Sequence, residues 1–135
     1  MNLTIDTFAW IELIRDTRAA ERIRTEIQEA DQTFTPSIVL AEVAGACHRD
    51  GIADDLVMQQ LDAISESSTV VRIDPVIAVG ATRALDELRS YARTRKMPLP
   101  GLADALILAT TRGRRARLLT GDPHFQGLPE TVWIP

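Results

Sequence analysis

The stretch Leu102-Ala103-Asp104-Ala105-Leu106-Ile107-Leu108-Ala109-Thr110-Thr111, with Ala116-Arg117-Leu118-Leu119-Thr120 after it, decides the fold. Wound as a helix, the first part is apolar on every side apart from Asp104, so protein must surround it. The second part is a short β-rich run that stops at the turn Gly121-Asp122-Pro123. A buried helix feeding a short strand is a building block of a parallel sheet with helices on both faces.

Working outward, the same alternation continues. Met97-Pro98-Leu99-Pro100-Gly101 is a loop, preceded by a long helix over about residues 76–92 and a strand over 69–73. At the far end, Leu3-Thr4-Ile5 is a strand that stops at Asp6, and residues 7–14 read as helix. A second helix over 18–30 has Ala19, Ile23, Ile27 and Ala30 as its apolar stripe. Phe34-Thr35 is briefly β-like, and Pro36-Ser37 opens the next helix, proline suiting a first helical position. Residues 38–47 are apolar nearly all round apart from Glu42, which predicts another buried helix. A helix over 53–65 and a last strand over 131–134 complete a three-layer α/β fold, one domain over residues 1–135.

At 45% hydrophobic and 25% charged, the composition is that of an ordinary globular protein. No apolar run approaches the roughly 18 residues of a membrane span, and residues 1–6 show no signal-peptide pattern. A single cysteine, Cys47, leaves no internal disulfide. A cytoplasmic protein is expected. The net charge of −4 is unevenly spread: residues 1–66 hold 13 acidic and 5 basic groups, residues 67–135 hold 6 and 10. Within 89–117, Arg89, Arg93, Arg95, Lys96, Arg112, Arg114, Arg115 and Arg117 face only Asp104. Such a region suits a polyanion, although a solvated helix face gives the same pattern.

Four carboxylates stand out: Asp6, Glu42, Asp104 and Asp122. Sites in open parallel sheets form at the C-terminal ends of the strands, and Asp6 and Asp122 each follow a strand directly. Asp104 and Glu42 sit in early turns of apolar helices with no cation three or four residues away. Burying an unpaired carboxylate costs several kcal/mol, so each calls for a compensating partner. Plainer roles exist for each. Asp6 could cap a helix, Asp122 could shape an Asx turn, Asp104 could serve the helix dipole, and Glu42 could pair with a distant arginine. Together, the four suit a hard divalent cation, Mg²⁺ or Mn²⁺, bound through oxygen. Like charges so gathered would raise some carboxylate pKa values in the absence of metal.

Asp6-Thr7 with Ala9-Trp10, Glu42 within residues 37–43, Asp104 within 102–109, and Thr120-Gly121-Asp122-Pro123-His124-Phe125 resemble, in order and spacing, the PIN-domain family. The similarity is greatest to VapC-type toxins of toxin–antitoxin pairs. The resemblance implies a Mg²⁺- or Mn²⁺-dependent endoribonuclease that cleaves RNA with a metal-activated water, forms a homodimer and is inhibited by a cognate antitoxin. By the same carry-over Asp6 and Asp104 are direct metal ligands and Glu42 holds metal or a bound water. Asp122 completes the site, and Thr7 and Thr120 are hydrogen-bonding supports. Pro123 stands where the family often has an acid or polar residue. Arg89, Arg93, Arg95, Lys96, Arg112, Arg114 and Arg115 are expected to hold the RNA backbone, and Trp10 or His124 to offer a base contact. For Trp10 a core position is the stronger expectation, and for His124 a turn position.

Two other classes compete. An aspartate-dependent phosphohydrolase or phospho-receiver would also place an acid after the first strand. The former favours Asp-x-Asp, but residue 8 is Phe, and the latter needs a late lysine, whereas Lys96 is the only one. A non-catalytic PIN-like scaffold binding RNA or protein would typically have lost one of the four acids.

Overall fold

The computed structural model describes residues 1–135. Strand β1 (Asn2–Ile5) has Leu3, Thr4 and Ile5 fully buried, as a central strand covered on both faces must be. It pairs in parallel with β2 (Gln32–Pro36) on one side and β4 (Arg117–Thr120) on the other. β3 (Thr69–Val71) extends the sheet beyond β2 and β5 (Thr131–Trp133) beyond β4, again in parallel. The order is β3-β2-β1-β4-β5. Because Ile5 lies opposite Leu119, the chain leaves β1 at Asp6 and β4 at Gly121 side by side.

Six helices clothe this sheet: α1 (Thr7–Ile14), α2 (Ala20–Glu29), α3 (Ser37–Arg49), α4 (Asp54–Ser67), α5 (Pro75–Thr94) and α6 (Leu102–Gly113). In α6 every residue from Ala105 to Thr111 is buried, as its apolar surface requires. It lies against β1, β2 and β4, and α5 packs along it. At their contact a Cβ on Gly80 would be 3.7 Å from that of Ala109, ordinary contact distance. α3 packs against both α1 and α4, with α3 and α4 against β2. One cluster of 26 buried residues joins the layers, so the expected three-layer α/β architecture is the one observed.

Some local expectations change. α3 buries one face only, through Val39, Val43, Ala46 and Cys47, while Ala41 is exposed and Glu42 half-buried. Alanine and glycine make up much of that helix and tolerate either environment, so its sequence overstates its burial. Pro36 is the last residue of β2 and caps α3 rather than occupying its first turn. α5 and α6 run two residues past their expected ends. Beyond them Lys96 (φ 55) and Arg115 (φ 50) adopt the left-handed conformation usual for glycine. Bonds from Met97 N–H to the Ala92 carbonyl (2.9 Å) and from Ala116 N–H to the Thr111 carbonyl (3.0 Å) close these ends.

Trp10 is a core residue. Its indole N–H donates to the Thr35 hydroxyl (3.1 Å), which in turn pairs with Ser68 Oγ (2.6 Å). It is 6% exposed, as the stronger expectation for it required.

Candidate active site

Asp6 is the N-cap of α1: its Oδ1 accepts the Ala9 amide (2.9 Å), satisfying one free donor of the first turn. Capping does not account for its other oxygen. Oδ2 accepts the hydroxyl of Thr120 from the end of β4. The carboxylate is 2% exposed and forms no ion pair. Burial, with a smaller push from the charges of Asp122 and Asp104, raises its pKa from 3.8 to about 7 against the lowering effect of the Thr120 and Ala9 hydrogen bonds.

Asp104 sits in the first turn of α6 and accepts the Gly101 amide with Oδ2 (3.3 Å), so it also closes its own helix start. It is half-buried and raised to about 6. Burial is the main cause and the charge of Asp122 the next; the Gly101 amide and His124 oppose the rise, and Glu42 adds to it. Thus the acids do raise one another, but desolvation outweighs like-charge repulsion.

Asp122 forms the Asx turn that its sequence allowed: its Oδ1 accepts the His124 amide at 2.9 Å. Its own amide donates to Thr120 Oγ1 (2.9 Å), so the Thr120 hydroxyl links Asp6 to Asp122. Pro123 opens a single 3₁₀ turn, Pro123–Phe125, whose Phe125 is fully buried. Gly121 is there for space: a Cβ would lie 2.4 Å from the Phe8 ring and 2.7 Å from the Ile134 carbonyl oxygen. Glu42 reaches the same region from α3, with Oε1 accepting from Thr7 Oγ1 at 2.6 Å.

One member plays a larger part than its sequence suggests. His124 places Nδ1 3.1 Å from Asp122 Oδ1 and Nε2 2.8 Å from the Pro98 carbonyl oxygen. Both ring nitrogens face acceptors, an arrangement that favours the doubly protonated ring. Burial opposes that charge, but the Pro98 carbonyl and the charges of Asp122 and Asp104 outweigh it and raise the pKa. His124 is therefore more than a turn residue. The signal was its place two residues after a site acid.

The basic residues separate. Arg112 is held between Glu87 (2.7 Å) and Glu130 (2.9 Å). With Arg114 and Arg115 it lies at the end of α6 away from Asp104, eight residues or about 12 Å along the axis. Arg89 gives Nε to the Pro100 carbonyl (3.4 Å) and Arg95 gives Nη1 to that of Pro123 (2.8 Å). Arg93 and Lys96 are exposed and without an ion pair. The largest cavity, about 650 Å³, opens beside β3 at Thr33, Leu40 and residues 65–70 and contains none of the four acids.

The donors suit a hard cation: all four are carboxylates, and burial makes Asp6 and Asp104 costly to ionise, a cost that a divalent ion would offset. No three of the His, Cys, Asp and Glu side chains come together closely enough to hold an ion between them. Mg²⁺ is commonly held by one or two carboxylates, with water and substrate phosphate completing its shell, so an open arrangement fits it.

A PIN-domain family model matches residues 3–130. No curated protein matches the chain. Among solved structures the fold is similar to a toxin–antitoxin complex from Klebsiella pneumoniae, with TM-score 0.73 and 22% identity over 96% of this chain and 95% of that one. It is also similar to VapBC2 from Rickettsia felis bound to a DNA fragment from its promoter (TM-score 0.67, 18% identity, 98% and 97% covered). DNA-bound VapBC from Salmonella typhimurium gives TM-score 0.68 at 17% identity, with 97% and 95% covered.

Proposed function

Because this chain belongs to the PIN-domain family, we propose that it is a metal-dependent endoribonuclease and the toxin of a type II toxin–antitoxin pair. The observation that carries this reading is Asp6: a buried carboxylate with no ion pair, beside two further acids at the ends of adjoining elements. Such an arrangement is costly for stability and useful for holding a cation at a phosphate.

Asp6 and Asp104 are proposed as the carboxylates that hold Mg²⁺ or Mn²⁺, with Glu42 and Asp122 completing the site. A bound ion of this kind would orient the scissile phosphate, offset its developing charge and make water a nucleophile near neutral pH. The chain's own contribution is placement. Thr120 holds Asp6 towards Asp122, and Thr7 holds Glu42. His124, whose protonated form both acceptors favour, would add positive charge beside the acids where a phosphate would approach. The exposed Arg93 and Lys96 follow α5 towards this edge and supply charge for the RNA backbone.

An inhibiting antitoxin and a second copy of the chain complete the proposal. The toxin–antitoxin complexes among its fold relatives support a protein partner. Two adjoining pockets that share Leu13 and Ser67, one lined also by Ile14, Gln60 and Ala63 and the other by Arg24, Ile27 and Gln28, offer that partner a seat of mixed character.

Incubation of the purified protein with total cellular RNA and Mg²⁺, followed by mapping of the cut ends, tests the reading. Discrete cuts that vanish with chelator and in Asp104→Asn, with folding intact, are expected. Full cleavage by Asp104→Asn sinks the assigned role, and no cleavage or Mn²⁺ binding by the native chain favours a scaffold.

A further inference from the structure

The loop carrying Asp122 and His124 is held from outside by α5. Tyr91 Oη donates to the Gln126 carbonyl at 2.6 Å. Arg95 Nη1 lies 2.8 Å from the Pro123 carbonyl oxygen and 3.3 Å from that of Gln126. The guanidinium stacks over the Tyr91 ring, 4.8 Å from its centroid, so the two side chains fix each other. The approach is close: Gly127, at φ +89, has no room for a Cβ, which would fall 2.6 Å from Tyr91 Oη. The Pro123 and Gln126 carbonyls flank His124, and His124 in turn bonds Asp122 and, through Nε2, the Pro98 carbonyl in the loop before Asp104.

We propose that Tyr91 and Arg95 are positioning residues for the candidate site, setting where Asp122 and His124 stand relative to Asp104. Sequence alone casts Arg95 as an RNA contact. The structure gives its guanidinium two backbone carbonyls and an aromatic face instead. Neither side chain touches the four acids; they act through the loop backbone. The inference rests on the nuclease reading for its catalytic consequence, but the clamp itself can be tested without it.

The test compares the native chain with Tyr91→Phe, Arg95→Met and Arg95→Lys by three measurements. These are amide exchange across residues 121–128, Mn²⁺ binding by calorimetry, and RNA cleavage kinetics at two salt concentrations. In Tyr91→Phe and Arg95→Met, the amides of His124, Phe125, Gln126 and Leu128 should exchange faster while those of α6 stay protected. The Kd for Mn²⁺ should rise on the order of tenfold, as when the groups orienting a metal site are removed. kcat should fall with KM for RNA unchanged, and Arg95→Lys, which keeps a donor, should recover part of each loss. A raised KM with altered salt dependence but unchanged Mn²⁺ binding makes Arg95 an RNA contact and overturns the proposal. Unchanged loop exchange overturns it too. If the native chain neither binds Mn²⁺ nor cleaves RNA, the nuclease reading fails and loop exchange alone decides the clamp.

Discussion

The Thr120 hydroxyl donates to the Asp6 carboxylate and accepts the Asp122 amide, joining the ends of β1 and β4 through a single oxygen. It is one of two hydrogen bonds holding down the pKa of an acid that burial pushes up to about 7. A hydrogen bond to a charged group contributes about 1.5–3 kcal/mol. Thr120→Val should therefore make Asp6 at least roughly tenfold harder to ionise and move the acid limb of the metal-dependent rate profile to higher pH. Thr120→Ser should leave the limb in place. Coincident profiles for Val and Thr would remove this assignment.

Stability without metal should fall as pH rises. Asp6 (about 7) and Asp104 (about 6) keep protons in the folded chain that the unfolded chain, with values near 3.8, has released. Stability declines wherever the folded state binds more protons, here from about pH 4 to about pH 7. His124, also raised, acts in the same sense: its charged pairing is lost as pH climbs through its folded value. A tenfold change in proton affinity between the two states is worth about 1.4 kcal/mol, so Asp6 alone accounts for a few kcal/mol. Melting in the presence of chelator should give a higher midpoint near pH 5 than near pH 8, a gap that Asp6→Asn narrows. Equal gaps in the two proteins would show that Asp6 ionises freely.

Gly121→Ala should destabilise the fold. The added methyl meets the Phe8 ring and the Ile134 carbonyl oxygen, 2.4 Å and 2.7 Å away. Overpacking of this kind costs about 1–3 kcal/mol, a fall of several degrees in Tm. Combining it with Phe8→Leu should return only part of the loss, because the carbonyl belongs to the backbone beside β5. Thermal denaturation of Gly121→Ala, Phe8→Leu and the double variant checks both statements, and complete rescue would locate the clash in the ring alone.

RNA affinity should distinguish the two groups of basic residues. Arg93→Ala and Lys96→Ala should each raise KM and lower the salt dependence of binding by about one unit of slope. Arg114→Ala and Arg115→Ala, at the far end of α6, should change neither. The opposite pattern in a filter-binding series would move the RNA track to the other edge of the sheet.

What the sequence discloses follows burial. A strand covered on both sides must be continuously apolar, so Leu3-Thr4-Ile5 and Leu118-Leu119 are plain, and the acids that stop them mark the edge where sites form. Asp104 is conspicuous because every residue from Ala105 to Thr111 is buried. Helix ends are less visible, since Lys96 and Arg115 occupy left-handed positions that glycine would have announced. The fate of Arg95 is hidden altogether. Its partner is the carbonyl of Pro123, 28 residues on, and a backbone acceptor leaves no trace in residue type. Charge counts suggest a polyanion surface, while the structure uses Arg112 for Glu87 and Glu130.

The strand order β3-β2-β1-β4-β5 puts β1, the earliest of these five strands in the chain, in the middle of the sheet. During synthesis, β1 can gain β2 and β3 early, but its other edge waits until β4 emerges. Asp6 meets Thr120 and Asp122 only at that last step, across more than a hundred residues of chain. A nascent chain that has not yet made β4 thus holds the acids apart, and any activity that needs them together begins only after Asp122 has emerged.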